Sequence, residues 1–177
     1  MVPLCTHYFR RIQRIYDYYS GGKDNFAADR AFADELLTQQ PQLRANAPAN
    51  RAFMRRVVRY AVADGVTQFL DIGTGLPTGE NVHEVARSAD LGARVVYVDN
   101  DPVVAAHART ILASMPGATF VLADMREPAG IIAQAGASLD FTRPAAVLCI
   151  SLLHFVPDDA QAAAIVAALT EPLAHCP

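Results

Sequence analysis

Hydrophobic positions recur along this chain at two different periods, and the change of period divides it. Over residues 4–19, Tyr8, Ile12, Ile15 and Tyr19 fall three or four apart, which predicts an amphipathic helix. Ser20-Gly21-Gly22 breaks that helix, because glycine readily takes the left-handed conformation that ends one. Asp24 or Asn25 is placed to cap a second helix over about 26–39, and Pro41 follows its end. A third helix, about 48–63, carries Phe53, Val57, Val58 and Tyr60 on an apolar stripe, with Arg51, Arg55, Arg56 and Arg59 largely elsewhere. Asp64-Gly65 ends it.

From residue 66 short continuous apolar runs alternate with helical patterns. Strand-like runs are expected at about 66–71, Arg94–Val98, Thr119–Ala123 and about Ala145–Ile150. Helices are expected at about 78–89, from an Asp101 cap and Pro102 to about Ser114, near Pro128–Ala135, and from about Asp158 to Leu169. Strand, helix, strand at this spacing predicts right-handed crossovers and a parallel sheet. The runs are apolar throughout, as in strands with helices on both faces. The chain is thus read as an N-terminal helical cap, 1–64, and an open α/β sheet domain, 65–177.

Composition narrows the partners. With 52% hydrophobic and 19% charged residues the chain can build a core. A net charge of −3 gives no basic surplus for nucleic acid. The longest apolar run, Ala162–Leu169, is too short to span a bilayer, and the first residues show no signal-peptide pattern. Cys5, Cys149 and Cys176 are odd in number and form no CxxC pair, so a reduced cytoplasmic protein is expected.

The candidate chemistry starts at Thr67–Gly75, a short strand ending in Asp71 and a Gly73-Thr74-Gly75 turn. Such a turn places a nucleotide-like ligand at a strand end, though an ordinary tight turn has the same spacing. A dinucleotide fingerprint needs a third Gly or Ala where this chain has Thr78. Asp71 would also repel a diphosphate. At an effective dielectric of about 20, unit charges about 4 Å apart interact by roughly 4 kcal/mol. That term turns attractive for a ligand carrying a sulfonium and an ammonium. Asp99 and Asp124 close the second and third strands, and ligands of open α/β sheets bind outside such strand ends. The three acids are expected to share one crevice.

Asp71-Ile-Gly-Thr-Gly, Val98-Asp99-Asn100-Asp101-Pro102 and Ala123-Asp124-Met125 resemble the first three motifs of class I S-adenosylmethionine (SAM)-dependent methyltransferases. Further stretches resemble one methyltransferase family first catalogued as a domain of unknown function. They are Arg14-Ile-Tyr-Asp-Tyr-Tyr-Ser-Gly-Gly-Lys-Asp-Asn-Phe26, Asn50-Arg-Ala-Phe53, Phe69-Leu-Asp-Ile-Gly-Thr-Gly-Leu-Pro-Thr78, Asn81-Val-His-Glu84, Val95-Val-Tyr-Val-Asp-Asn-Asp-Pro-Val103 and Leu153-His-Phe-Val-Pro157. The resemblance covers nearly the whole chain. It implies a Rossmann-like fold with SAM as cofactor. Asp71, Gly73, Thr74 and Gly75 would hold its methionine end, Asp99 the ribose hydroxyls, and Asn100 would lie near the adenine. Asp124 would take the adenine amino group and Met125 contact the ring. Ser151 and Leu152 would line the methyl-donor side. Gly22 and Asn25, with Tyr16 and Arg51, would belong to a cover over the cofactor; their bland alternative is a helix–helix turn and packing.

Other readings have less support. His83-Glu84-Val85-Ala86-Arg87 starts like a zinc-protease helix but has Arg in place of the second His, so no metal is expected. His83 reads as a surface or packing residue. His7, His107 and His175 lack partners in the pattern, and Cys149 reads as a small buried residue. His154, just past the fourth strand, is the candidate catalytic base; a packing histidine is the alternative.

A complete class I methyltransferase resembles a seven-stranded sheet ordered 3-2-1-4-5-7-6. Strands 1–4 are legible here and strands 5–7 are not. The fourth strand would then be a long apolar edge, open to self-association. A fragment, a truncated gene and an edge covered by something else all remain open. The expected function is methyl transfer from SAM to a small-molecule acceptor. The alternatives are a non-catalytic SAM-binding remnant and, outside these, a nicotinamide-dependent dehydrogenase.

Overall fold

The computed structural model describes residues 6–77 and 80–173, with side chains from residue 12 onward. Thr78, and with it the sixth position of the glycine pattern, lies outside the described residues. So do Cys5, His175 and Cys176, and the side chains of His7 and Tyr8. The elements run α1 (Thr6–Tyr19), α2 (Ala27–Gln39), α3 (Leu43–Ala63), β1 (Gln68–Ile72), α4 (Val82–Ala89), β2 (Arg94–Asp99), α5 (Pro102–Leu112), β3 (Ala118–Leu122), α6 (Pro128–Ala135), β4 (Ala146–Leu148) and α7 (Asp159–Thr170). A 3-10 turn, Leu153–Phe155, precedes α7. The chain divides into two compact units, Met1–Phe53 and Met54–Pro177, with the division inside α3.

The first unit is organised by buried carboxylates that the hydrophobic pattern does not reveal. Asp29, 2% exposed, accepts from Arg14 Nε at 2.8 Å and from the Phe26 amide at 3.1 Å. The α2 cap is therefore Phe26, stabilised from inside the helix, and not Asp24 or Asn25 as expected. Those two residues serve Asp17 instead. Its Oδ2 accepts from the Asp24 amide at 2.9 Å and from Asn25 Nδ2 at 2.8 Å. α3 begins at Leu43, earlier than the expected start near 48, and takes Pro48 inside it. A proline there costs the helix one hydrogen bond, a loss that lies close to the N-terminus, where amides have few partners in any case.

In the second unit the sheet is parallel, ordered β3-β2-β1-β4. Consecutive strand residues point to opposite faces. Phe69, Val95, Tyr97 and Leu148 therefore pack on one side with Met54, Val58 and Ala61 of α3 and Val82, Val85 and Ala86 of α4. Leu70, Ile72, Val96, Val98 and Val121 pack on the other with Ile131 and Ala135 of α6 and Ile165 and Leu169 of α7. Burying each large side chain stabilises the fold by about 1.5–3 kcal/mol. The buried stripe of α3 is thus Met54, Val58 and Ala61. Phe53 and Tyr60, expected in the stripe, are 50% and 75% exposed. An aromatic side chain carries the same weight in a hydrophobic pattern whichever way the helix turns it.

β4 spans three residues, not the expected six, and stands at the edge of the sheet. Gln68 is buried on β1. Its Oε1 accepts from the Asp140 amide at 2.7 Å and its Nε2 donates to the Asp140 carbonyl at 2.9 Å. This clamp ties the segment before β4 to β1.

Candidate cofactor site

The chain runs outward from β1 to β2 to β3 and then returns to place β4 on the other side of β1. The strand order reverses between β1 and β4, where ligands of open α/β sheets bind. The Gly73–Gly75 turn leaves β1 at this point. Gly73 and Thr74 donate to the Val98 carbonyl at 2.8 and 3.2 Å, so the turn leans on the end of β2. Gly73 has φ +70°, and a Cβ there would come within 2.6 Å of Leu152 Cδ1. Both the backbone conformation and the close approach require glycine. Leu152 comes from the segment after β4, and its neighbour Ser151, exposed, holds φ +54°. A side-chain-bearing residue in that region is uncommon and marks a constrained turn. The sheet thus brings Gly73 and Leu152, distant in sequence, into contact at the switch point.

The three strand-end acids differ in what they do. Asp71 is half-buried and in register with Tyr97 and Leu148. Burial first, and then the Asp71 charge, push the Cys149 thiol up to about 11, so Cys149 stays a protonated packing residue. Asp99 is 3% exposed. Its Oδ2 accepts from the Gly75 amide at 2.9 Å and its Oδ1 from the Asp101 amide at 3.0 Å. It therefore shapes the glycine turn as well as facing the crevice. Asp101, as expected, caps α5 through the Val103 amide at 2.8 Å, with Pro102 opening the helix.

Asp124 lies two residues past β3. A hydrogen bond from the Arg126 side chain is the main cause that holds its carboxyl down at about 2. Asn100 Nδ2 also reaches it, at 3.4 Å. Met125, half-buried, packs against the α6–α7 side of the core. The second unit therefore assembles Asp71, Gly73, Thr74, Gly75, Asp99, Asn100, Asp124, Met125, Ser151 and Leu152 around the carboxyl ends of the strands. Gly22, Asn25, Tyr16 and Arg51 belong to the first unit. There Asn25 is held by Asp17, and the Tyr16 hydroxyl donates to the Ala47 carbonyl at 3.1 Å. Burial raises the Tyr16 pKa against the nearby Arg51 charge.

The fit to a cationic ligand rests on two observations. The helix after the turn starts at Val82, capped by Asn81, and not near 78. The helix thus opens seven residues along the chain from Gly75, whereas a dinucleotide site runs its glycine turn directly into the helix. A Cβ at Gly75 would meet nothing within 4 Å, so there is open space at the turn, whose Gly75 amide donates to the Asp99 carboxylate at 2.9 Å. These residues fit a positively charged nucleoside better than a dinucleotide. Among the described residues, no group of three His, Cys, Asp or Glu could hold a metal ion.

A family profile described as S-adenosyl methyltransferase matches residues 9–176. The chain belongs to this S-adenosyl methyltransferase family. Two solved structures agree. A DUF574 family protein from Streptomyces avermitilis is 45% identical with a TM-score of 0.86, over 92% of this chain and 64% of its own. A candidate methyltransferase from Thermobifida fusca is 41% identical with a TM-score of 0.88, over 98% of this chain and 67% of its own. The chain thus spans about two thirds of the length of these relatives. None of the curated proteins matches it. The family makes SAM the methyl donor, and its open parallel sheet is the Rossmann-like one found here.

Three residues that shape the S-adenosyl methyltransferase chain escape sequence reasoning: Asp17, Gln68 and Arg126. Each acts through a hydrogen bond whose partner no periodicity reveals, although Asp17 is a polar position between two tyrosines and Gln68 opens an otherwise apolar run. His83 proves to be a packing residue, 3% exposed, with Nδ1 2.7 Å from the Tyr97 hydroxyl. Burial lowers its pKa, against the opposing charge of Glu84.

Proposed function

We propose that the protein is a SAM-dependent methyltransferase acting on a small molecule in the cytoplasm. One observation carries the reading: carboxylates stand at or just past the carboxyl ends of three adjacent strands, one of them, Asp99, tying down a glycine turn that Leu152 approaches at the strand-order reversal. When bound, SAM supplies an electrophilic methyl group on a sulfonium. Asp71 and the Gly73–Gly75 turn would hold its amino-acid end, Asp99 its ribose, and Asp124 with Met125 its adenine. Asp99 accepts from the Gly75 and Asp101 amides, and a carboxylate, with about four acceptor positions, is the group suited to the ribose hydroxyls. Methyl transfer is a direct displacement, so alignment by these groups is the main contribution. The cytoplasmic location is supported by the scattered cysteines; among the described residues no helix is long and apolar enough to cross a membrane. Calorimetry tests the cofactor: SAM and S-adenosylhomocysteine bind and NAD does not. A folded sample that binds neither SAM nor S-adenosylhomocysteine ends this reading.

His154 is the candidate base. It is exposed just past the 3-10 turn's start, its ring 3.9 Å from that of Phe155, and burial of part of the ring lowers its pKa below 6.5. The imidazole is therefore neutral at pH 7 and able to take a proton from an acceptor. Turnover should be flat above pH 6.5 and fall as the pH drops through the lowered value. His154→Gln should slow turnover by about a hundredfold and remove that acid limb. An unchanged profile in the variant would make His154 a packing residue. Tight SAM binding with no methyl transfer to any acceptor would instead make the chain a SAM-binding protein without turnover.

A further inference from the structure

Arg126 is absent from the sequence motifs, yet it makes more hydrogen bonds to Asp124 than any other residue. Its amide and its Nε donate to Asp124 Oδ1 at 3.0 and 2.9 Å, and its Nη2 donates to Oδ2 at 2.5 Å. A carboxylate offers about four acceptor positions, and this fork takes three of them. Among the described residues, the fourth, on Oδ2, is met by the long 3.4 Å contact from Asn100 Nδ2. A hydrogen bond of that length is weak and readily exchanged.

Stability gives little reason for the arrangement. The Arg126 side chain is 58% exposed, and exposed ion pairs contribute at most about 1 kcal/mol. Its geometric consequence is larger. A two-point fork fixes the plane of the carboxylate, which a single contact would leave free to turn. Asp124 then presents one acceptor position in one direction, and it remains an ionised acceptor that cannot donate.

We propose that Arg126 is a positioning residue that sets base selectivity: its fork leaves Asp124 one acceptor position, which takes a purine amino group and rejects a purine carbonyl, while Asn100 holds that position in the free protein. The proposal rests on the cofactor reading above and extends it to a residue that does not touch the cofactor. Adenine offers an amino donor at this edge. Hypoxanthine offers a carbonyl oxygen, which the carboxylate repels. On binding, the amino group replaces the Asn100 amide with no change to the Arg126 fork.

The test compares S-adenosylhomocysteine with S-inosylhomocysteine by calorimetry on the full chain. The wild type should prefer the adenine compound by at least about tenfold, the scale of one hydrogen bond to a charged group. Arg126→Gln and Arg126→Lys should each reduce that preference to near unity by weakening the adenine compound alone. Lys keeps the charge but has no fork, so it separates geometry from electrostatics. A merely structural role would weaken both compounds equally and leave the ratio intact. An unchanged ratio in both Arg126 variants overturns the proposal while the cofactor reading stands. Wild-type protein that binds neither compound overturns both.

Discussion

Asp99→Ala should lower S-adenosylhomocysteine affinity by about a hundredfold or more and should also destabilise the unliganded protein by about 2–4 kcal/mol. The two effects have different origins. The carboxylate is 3% exposed and accepts from the Gly75 and Asp101 amides, so its loss leaves two backbone donors unpaired. The same carboxylate is assigned to the ribose hydroxyls, and hydrogen bonds to a charged group contribute about 1.5–3 kcal/mol each. Asp99→Asn should show a smaller loss of both kinds. The amide keeps one oxygen but turns an NH2 group toward one of the backbone donors, so one turn contact is lost and one ribose acceptor with it. Denaturant unfolding of the free variants gives the structural part, and calorimetry on the folded fraction gives the binding part. Full-affinity binding by folded Asp99→Ala would remove Asp99 from the site and leave it a turn residue only.

The second large effect is expected in the first unit. Asp17→Ala should release the loop that follows α1, at a cost of about 2–3 kcal/mol. Asp17 is 2% exposed and holds the Asp24 amide and Asn25 Nδ2 on one oxygen. Asn25 in turn donates to the Gly22 carbonyl at 3.1 Å and its Oδ1 accepts from Arg30 at 2.9 Å, so one buried carboxylate orders the whole turn. Gly22→Ala should have a comparable effect for a steric reason, since a Cβ there would lie 1.8 Å from Asp17 Oδ1. Hydrogen exchange reads both variants directly. The Asp24 amide should lose its protection, while the amides of β1 and β2 keep theirs. Unaltered protection at Asp24 in Asp17→Ala would show that the turn is held by its backbone alone.

Period and punctuation made most of the second unit legible. β2 was located to within a residue because Asp99 and Asp101-Pro102 mark its end and the next helix start, and both signals are local. α6 was located equally well from Pro128. α3 is less legible at its start, because the helix begins at Leu43, before the apolar stripe that predicts it from about 48. Its stripe was misread because Phe53 and Tyr60 satisfy helical spacing without being buried. β4 was read too long because the apolar residues that follow it continue the pattern after the strand pairing has stopped.

The sequence alone determined the alternation of elements, the parallel sheet, the strand-end acids and the family, because each depends on residue type at fixed local spacing. It also determined that Gly73 stands where β1 turns. Only the tertiary structure decided what presses against that glycine, since Leu152 arrives there through the pairing of β4 with β1. The same is true of the three acids. Their chemistry is written in the sequence, but their partners come from folding: Asp99 is tied to the Gly75 amide across two strands, and Asp124 is forked by Arg126 with Asn100 on its open side. Periodicity reports which way a side chain faces, whereas a hydrogen bond depends on where its partner has been carried, and that is set by the closing of the sheet.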